Sequence, residues 1–192
     1  MARSLFSGRA DQRPHFPGAP ALYRGLHQGG NPLFFVSSSP WNLHDLLEET
    51  FDHYGLPERV TFLRDWGISD QEILPTDNIE HKLALLRQIT AFFPDLPFLL
   101  IGDSGQQDPE IYTRFIRENP GRVLAVYIRD VSPDPRRDAA VQALGTSGVP
   151  LLLASDSLGM ARDAAARGWL DAAVLTEIEA DQGKTPLGAG VA

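Results

Sequence analysis

Apolar residues recur along this chain in two ways, as short unbroken runs and as longer stretches with helical spacing. Leu33-Phe34-Phe35-Val36, Val60-Thr61-Phe62-Leu63, Phe98-Leu99-Leu100-Ile101, Val123 to Ile128 and Pro150 to Ala154 are too short for helices, which predicts buried strands. The first intervening helix, Ala19 to Gln28, carries Leu22, Tyr23 and Leu26 and stops at Gly29-Gly30. From Trp41 to Tyr54, Leu43, Leu46, Leu47, Phe51 and Tyr54 share one face, with Glu48, Glu49 and Asp52 off it, and Gly55 and Pro57 close the helix. A third helix, Ile79 to Phe93, has Ile79, Leu83, Leu86, Ile89, Phe92 and Phe93 as its apolar side, a cap from Thr76, Asp77 or Asn78, and Pro94 as its stop. Further helices are expected over Pro109 to Glu118, Arg137 to Leu144 and Leu158 to Arg167.

Strand and helix therefore alternate, and the expected fold class is α/β, a three-layer parallel sheet with helices on both faces. The arginine- and proline-rich start lacks periodicity and the end is glycine-rich. The expected organisation is a loop or arm over 1–18, one α/β domain over 19–178 and a flexible tail over 179–192.

Composition narrows the function. With 192 residues and 43% hydrophobic side chains there is enough apolar surface for a core. The chain has no cysteine, which removes disulfides, thiol chemistry and thiolate metal sites, so a metal would sit on oxygen or imidazole. A formal charge of −8 without a basic patch argues against nucleic acid as a partner. No apolar run approaches the roughly 18 residues of a membrane span, and the first residues lack a signal-peptide core. The expected location is cytoplasmic.

Chemistry concentrates at the predicted strand ends. Asp103 follows a buried run directly, at the carboxyl end of a strand, where open α/β sheets bind ligands. The small polar loop Ser104 to Gln107 leads to Asp108 and Pro109, and two acids around a tight loop can seat a hard divalent cation. Aspartate before proline also reads as a helix cap, and capping does not exclude metal binding. Ser37 offers a hydroxyl and following backbone amides to a phosphate oxygen, or an ST-turn before Trp41. Lys82, read as lying near the start of its helix, is disfavoured there by the macrodipole unless an anion sits beside it, although an exposed lysine needs no such reason. His81 is a base, a ligand or a solvated side chain; Arg129-Asp130 positions phosphate or forms a surface ion pair.

Together, Phe35-Val36-Ser37-Ser38-Ser39-Pro40-Trp41, Leu63-Arg64-Asp65-Trp66-Gly67, His81-Lys82, the stretch Ile101 to Tyr112 and Val126 to Val131 resemble one family. It is the catalytic domain of the phosphatidate phosphatases of the actin-patch type, a branch of the haloacid dehalogenase superfamily, and the resemblance spans roughly Pro17 to Ser132. The resemblance implies a Mg2+-dependent phosphomonoesterase working through a phosphoaspartyl intermediate. It implies that Ser37, with Ser38, and Lys82 bind the phosphoryl group and that Asp103 and Asp108 hold the metal. It further implies a phosphomonoester substrate, phosphatidate by the family name, and transient contact with a membrane surface.

The chain departs from that pattern at its start. The superfamily opens with an apolar strand ending in Asp-x-Asp-x-Thr, the first aspartate being the nucleophile. Here the only acidic residue before Asp45 is Asp11, within an arginine- and proline-rich segment. The nucleophile is absent, and the central strand of the expected sheet with it. Truncation of a phosphatase accounts for this, leaving a chain inactive alone; a noncatalytic relative that keeps a phosphate or metal pocket is the alternative. A phosphorelay receiver domain ranks below both, because it too needs an aspartate at a strand end before the hydroxyl.

Overall fold

The computed structural model describes residues 16–64, 75–131 and 135–182. They form an α/β protein in which helices alternate with strands, and the described chain divides into two compact units.

One unit comprises Val36–Ser38 and Arg64–Ser155. Its sheet contains β3 (Phe98–Asp103), β4 (Val123–Arg129) and β5 (Leu151–Ala154), parallel in the order β3-β4-β5. Parallel neighbours need a crossover between them, and α4 (Asp108–Glu118) and α5 (Pro135–Gly145) supply the two connections. The central strand β4 is the most deeply buried: of its residues only Leu124 is exposed. Its Val126 and Ile128 pack in one cluster with Leu100 of β3, Ile111, Phe115 and Ile116 of α4, and Val141 and Leu144 of α5. Leu83 of α3 (Pro75–Phe92) joins the same cluster. Burial of each such side chain contributes about 1.5–3 kcal/mol.

The other unit comprises Met1–Phe35, Ser39–Leu63 and Asp156–Ala192. Here α1 (Ala19–His27), α6 (Ser157–Ala166) and α7 (Val174–Gln182) pack together, burying Leu22, Met160, Ala161, Ala164 and Ile178. Asp156 caps α6 by accepting the Gly159 amide at 2.8 Å, and Asp181 of α7 accepts the Gly18 amide at 2.8 Å. The helix α2 (His44–His53) follows a 3-10 turn at Trp41–Leu43. Arg59 joins Glu48 and Asp52 of α2 at 2.6 and 2.8 Å.

Several sequence expectations need correction. The first strand, β1 (Phe34–Pro40), runs on through Ser37–Ser39, because ladder bonds are made by the backbone and tolerate polar side chains; it pairs with β2 (Val60–Arg64). Among the described residues the strands thus form two sheets, not one; alternation alone does not say which strands are neighbours. The helix expected from Ile79 begins at Pro75, whose fixed φ suits a first helical turn, so Thr76, Asp77 and Asn78 lie inside it. Helix α7 was not foreseen, and its end falls in the stretch assigned to a tail. The arm residues before Phe16, the Asp65-Trp66-Gly67 motif and residues from 183 onward lie outside the described residues. Among those described, no helix is long and apolar enough to cross a membrane.

Candidate functional site

Asp103 is the last residue of β3, opposite Arg129 of β4 in the parallel register. Amides in a strand point alternately to its two sides. The Ser104 amide reaches the Arg129 carbonyl at 2.8 Å, whereas the Asp103 amide donates to Asp108 Oδ2 at 3.1 Å. Gln107 is the N-cap position of α4, which leaves Asp108 in the first turn rather than as the cap expected from sequence. Its carboxylate serves the neighbouring strand: Oδ2 takes the Asp103 amide and Oδ1 takes Lys82 Nζ at 2.7 Å.

This approach is possible only because residue 102 is glycine. A Cβ there would stand 2.6 Å from Asp108 Oδ2 and 2.7 Å from Asp108 Cβ. Lys82 lies seven residues into α3, about two turns beyond the end where the dipole argument placed it. The physical reason for its charge is the partner it meets: side-chain exposures of 11% and 9% make Lys82–Asp108 a desolvated ion pair, in which each charge depends on the other.

The Asp103 carboxylate is fixed by its own loop. Oδ1 accepts the Gly105 and Gln106 amides at 2.9 and 2.8 Å, and Oδ2 accepts Gln106 Nε2 at 3.0 Å. Burial first, and the charge of Asp108 second, hold the Asp103 carboxyl above the ordinary carboxylate range, against the opposing pull of the loop amides and of Lys82. A neighbouring cation would relieve both causes. The donors are carboxylate oxygens, the type a hard divalent ion such as Mg2+ prefers, so these two residues fit that ion. Among the described residues no group of three or more acidic or histidine side chains is placed to hold a metal ion.

Further ties immobilise the loop. Ser104, 2% exposed, accepts the Val131 amide at 2.9 Å and donates to Asp130 Oδ1 at 3.2 Å. Arg137 of α5 donates through Nε to the Ser104 carbonyl at 2.8 Å and through Nη2 to the Gln106 carbonyl. It also grips Glu110 of α4 with two bonds, at 2.6 and 2.8 Å. Burial pushes the Glu110 carboxyl up, but the bonds and charge of Arg137 outweigh it, and the group sits below its usual range. Nothing in the sequence marked Arg137, which lies 27 residues from Glu110 and beyond every motif.

The structure thus brings Lys82, Asp103 and Asp108 together at the β3 tip. Ser37 and Ser38 are half-buried within β1, on the other sheet. His81 is half-buried on α3 beside Lys82. Arg129 is buried, with Nη1 donating to the Ser155 carbonyl at 3.3 Å, and Asp130 is exposed and accepts from Ser104.

Fold and site together define an α/β domain with its charged cluster at the carboxyl end of a parallel strand, the usual ligand-binding end of such sheets. Residues 1–130 match the family model described as the catalytic domain of phosphatidate phosphatase APP1. The chain belongs to that family. It is 32% identical over 113 residues to phosphatidate phosphatase APP1 of Saccharomyces cerevisiae, a match covering 58% of this chain and 19% of the relative. It is 35% identical over 103 residues to an uncharacterized protein of Schizosaccharomyces pombe, covering 53% of this chain and 17% of that one. The chain therefore spans less than a fifth of the length of these curated relatives. No solved structure matches it.

Proposed function

We propose that this chain carries the phosphate- and metal-holding part of a magnesium-dependent phosphomonoesterase domain of the haloacid dehalogenase type. The observation that supports this most is the grouping of one ammonium and two carboxylates at the β3 tip, with Lys82 Nζ 2.7 Å from Asp108 Oδ1 and the Asp103 amide 3.1 Å from Oδ2. In this reading Asp103 and Asp108 hold Mg2+, which when bound supplies positive charge to the phosphoryl oxygens. Lys82 keeps a second positive charge at the same place, and Asp108 fixes where that ammonium points. Ser37 and Ser38 donate to phosphoryl oxygens. Phosphoryl transfer is catalysed mainly by such positioning and charge neutralisation.

The attacking group must come from elsewhere. No residue of the chain answers to Asp-x-Asp-x-Thr. In the proposed reaction an aspartate oxygen attacks phosphorus, the bond from phosphorus to the substrate alcohol oxygen breaks, and water then hydrolyses the acyl phosphate. β3 pairs with β4 on one side, and in this reading the strand carrying that aspartate lies along its other side. The substrate class is a phosphomonoester, and phosphatidate is the member named by the family description.

A generic phosphomonoester assay with magnesium tests the reading. The chain alone should give no turnover, a chimera prefixed by a strand ending in Asp-x-Asp-x-Thr should give turnover, and Asp103→Asn in that chimera should abolish it. Turnover by the chain alone would contradict the nucleophile argument. A silent chimera that still binds magnesium would favour the noncatalytic holder, the reading suggested by the missing motif.

A further inference from the structure

We propose that Arg137 is a positioning residue for the Asp103 loop, holding from α5 the backbone that presents the Asp103 carboxylate. The proposal rests on the reading of Asp103 and Asp108 as metal-holding residues, and it adds a residue beyond the 1–130 span of the family match.

Four hydrogen bonds of the guanidinium go to one short segment and its anchor. Nε donates to the Ser104 carbonyl at 2.8 Å and Nη2 to the Gln106 carbonyl. The same side chain is held in place by Glu110, which accepts from Nη1 at 2.6 Å and from Nη2 at 2.8 Å. The two carbonyls it grips flank Gly105, and the amides of Gly105 and Gln106 are the donors to Asp103 Oδ1 at 2.9 and 2.8 Å. The Ser104 carbonyl shares its peptide plane with the Gly105 amide, so holding it aims that amide at the carboxylate, and the grip on the Gln106 carbonyl pins the far end of the Gly105–Gln106 segment that carries the second donor. The planar fork of arginine suits this task, since it reaches two carbonyls and a bidentate carboxylate at once; lysine has neither the planarity nor the spread. Residues that orient a ligand from behind typically change metal affinity by roughly 10–100-fold when removed.

Arg87 supplies a matched control. It makes a comparable two-bond clamp to Glu118, at 2.8 and 2.7 Å, between α3 and α4, and neither bond goes to the loop. The test uses the full chain with Arg137→Met, Arg137→Lys and Arg87→Met, and reads amide hydrogen exchange at Gly105 and Gln106 and calorimetric Mg2+ affinity. Both methionine variants should lose thermal stability. Only the Arg137 variants should expose the Gly105 and Gln106 amides, with exchange faster by roughly 10-fold or more, and weaken Mg2+ by a similar factor. Unchanged amide exchange in Arg137→Met, or equal acceleration in Arg87→Met, overturns the positioning role. Faster amide exchange in Arg137→Met with no Mg2+ binding by the unsubstituted chain sustains that role and overturns the metal reading instead.

Discussion

Gly102 has no room for a side chain, and that is what lets Asp108 reach back over β3. In Gly102→Ala the new Cβ would lie 2.6–2.9 Å from three atoms of the Asp108 side chain, including its own Cβ, so the carboxylate must leave the Asp103 amide. Overpacking of this kind costs about 1–3 kcal/mol. Gly145→Ala is the fitting comparison. It ends α5, and its added Cβ would meet only Leu151 at 3.6 Å, so that change should be neutral or slightly stabilising. Urea unfolding of both variants checks the difference. At this scale Asp103 was legible because a carboxylate straight after an apolar run does not serve packing. Lys82 was singled out for a reason the structure corrects: it lies two turns into α3 and answers to Asp108, a partner 26 residues away in sequence. Contacts of that range leave no local signal.

The carboxyls at the two ends of the loop between β3 and α4, Asp103 and Glu110, are shifted in opposite directions, and stability should follow their titration. Glu110 has a carboxyl held below its unfolded value, so its bond to Arg137 contributes stability above pH ~4.5 that is lost as pH falls through the lower folded value. Asp103 has the opposite sign. Its raised value means that ionisation costs stability, and the cost fades as pH falls through the folded value. Thermal unfolding followed from neutral to acid pH should therefore show Asp103→Asn gaining on the unsubstituted chain at neutral pH and losing that advantage in acid. Glu110→Gln should lag at neutral pH and converge in acid. Elements were legible where apolar runs or helical spacing defined them, as for β3, β4 and α1. The serine-bearing half of β1 and helix α7 escaped, the first because backbone ladders need no apolar side chain and the second because its short apolar face adjoins a glycine-rich end.

For the whole molecule, alternation of strand and helix announced an α/β protein with parallel strands, and the order β3-β4-β5 has that character. The partition of strands into two sheets was not legible, because pairing is decided by contacts between distant segments. The family match ends just past β4, so β5, α6 and α7 lie outside it, and Arg137 with them. What joins these observations is the β3 tip, which we propose as a place for a divalent cation beside the Lys82 ammonium. The most direct check is thermal unfolding of the chain at neutral pH with and without Mg2+, beside Asp103→Asn. A ligand at about 100 times its Kd adds ~2.7 kcal/mol to folded-state stability. The expected result is a magnesium-dependent rise in Tm for the unsubstituted chain, and none for Asp103→Asn, whose metal-free Tm starts higher. A Tm indifferent to magnesium, or an equal rise in both proteins, would contradict the assignment of Asp103 to the metal.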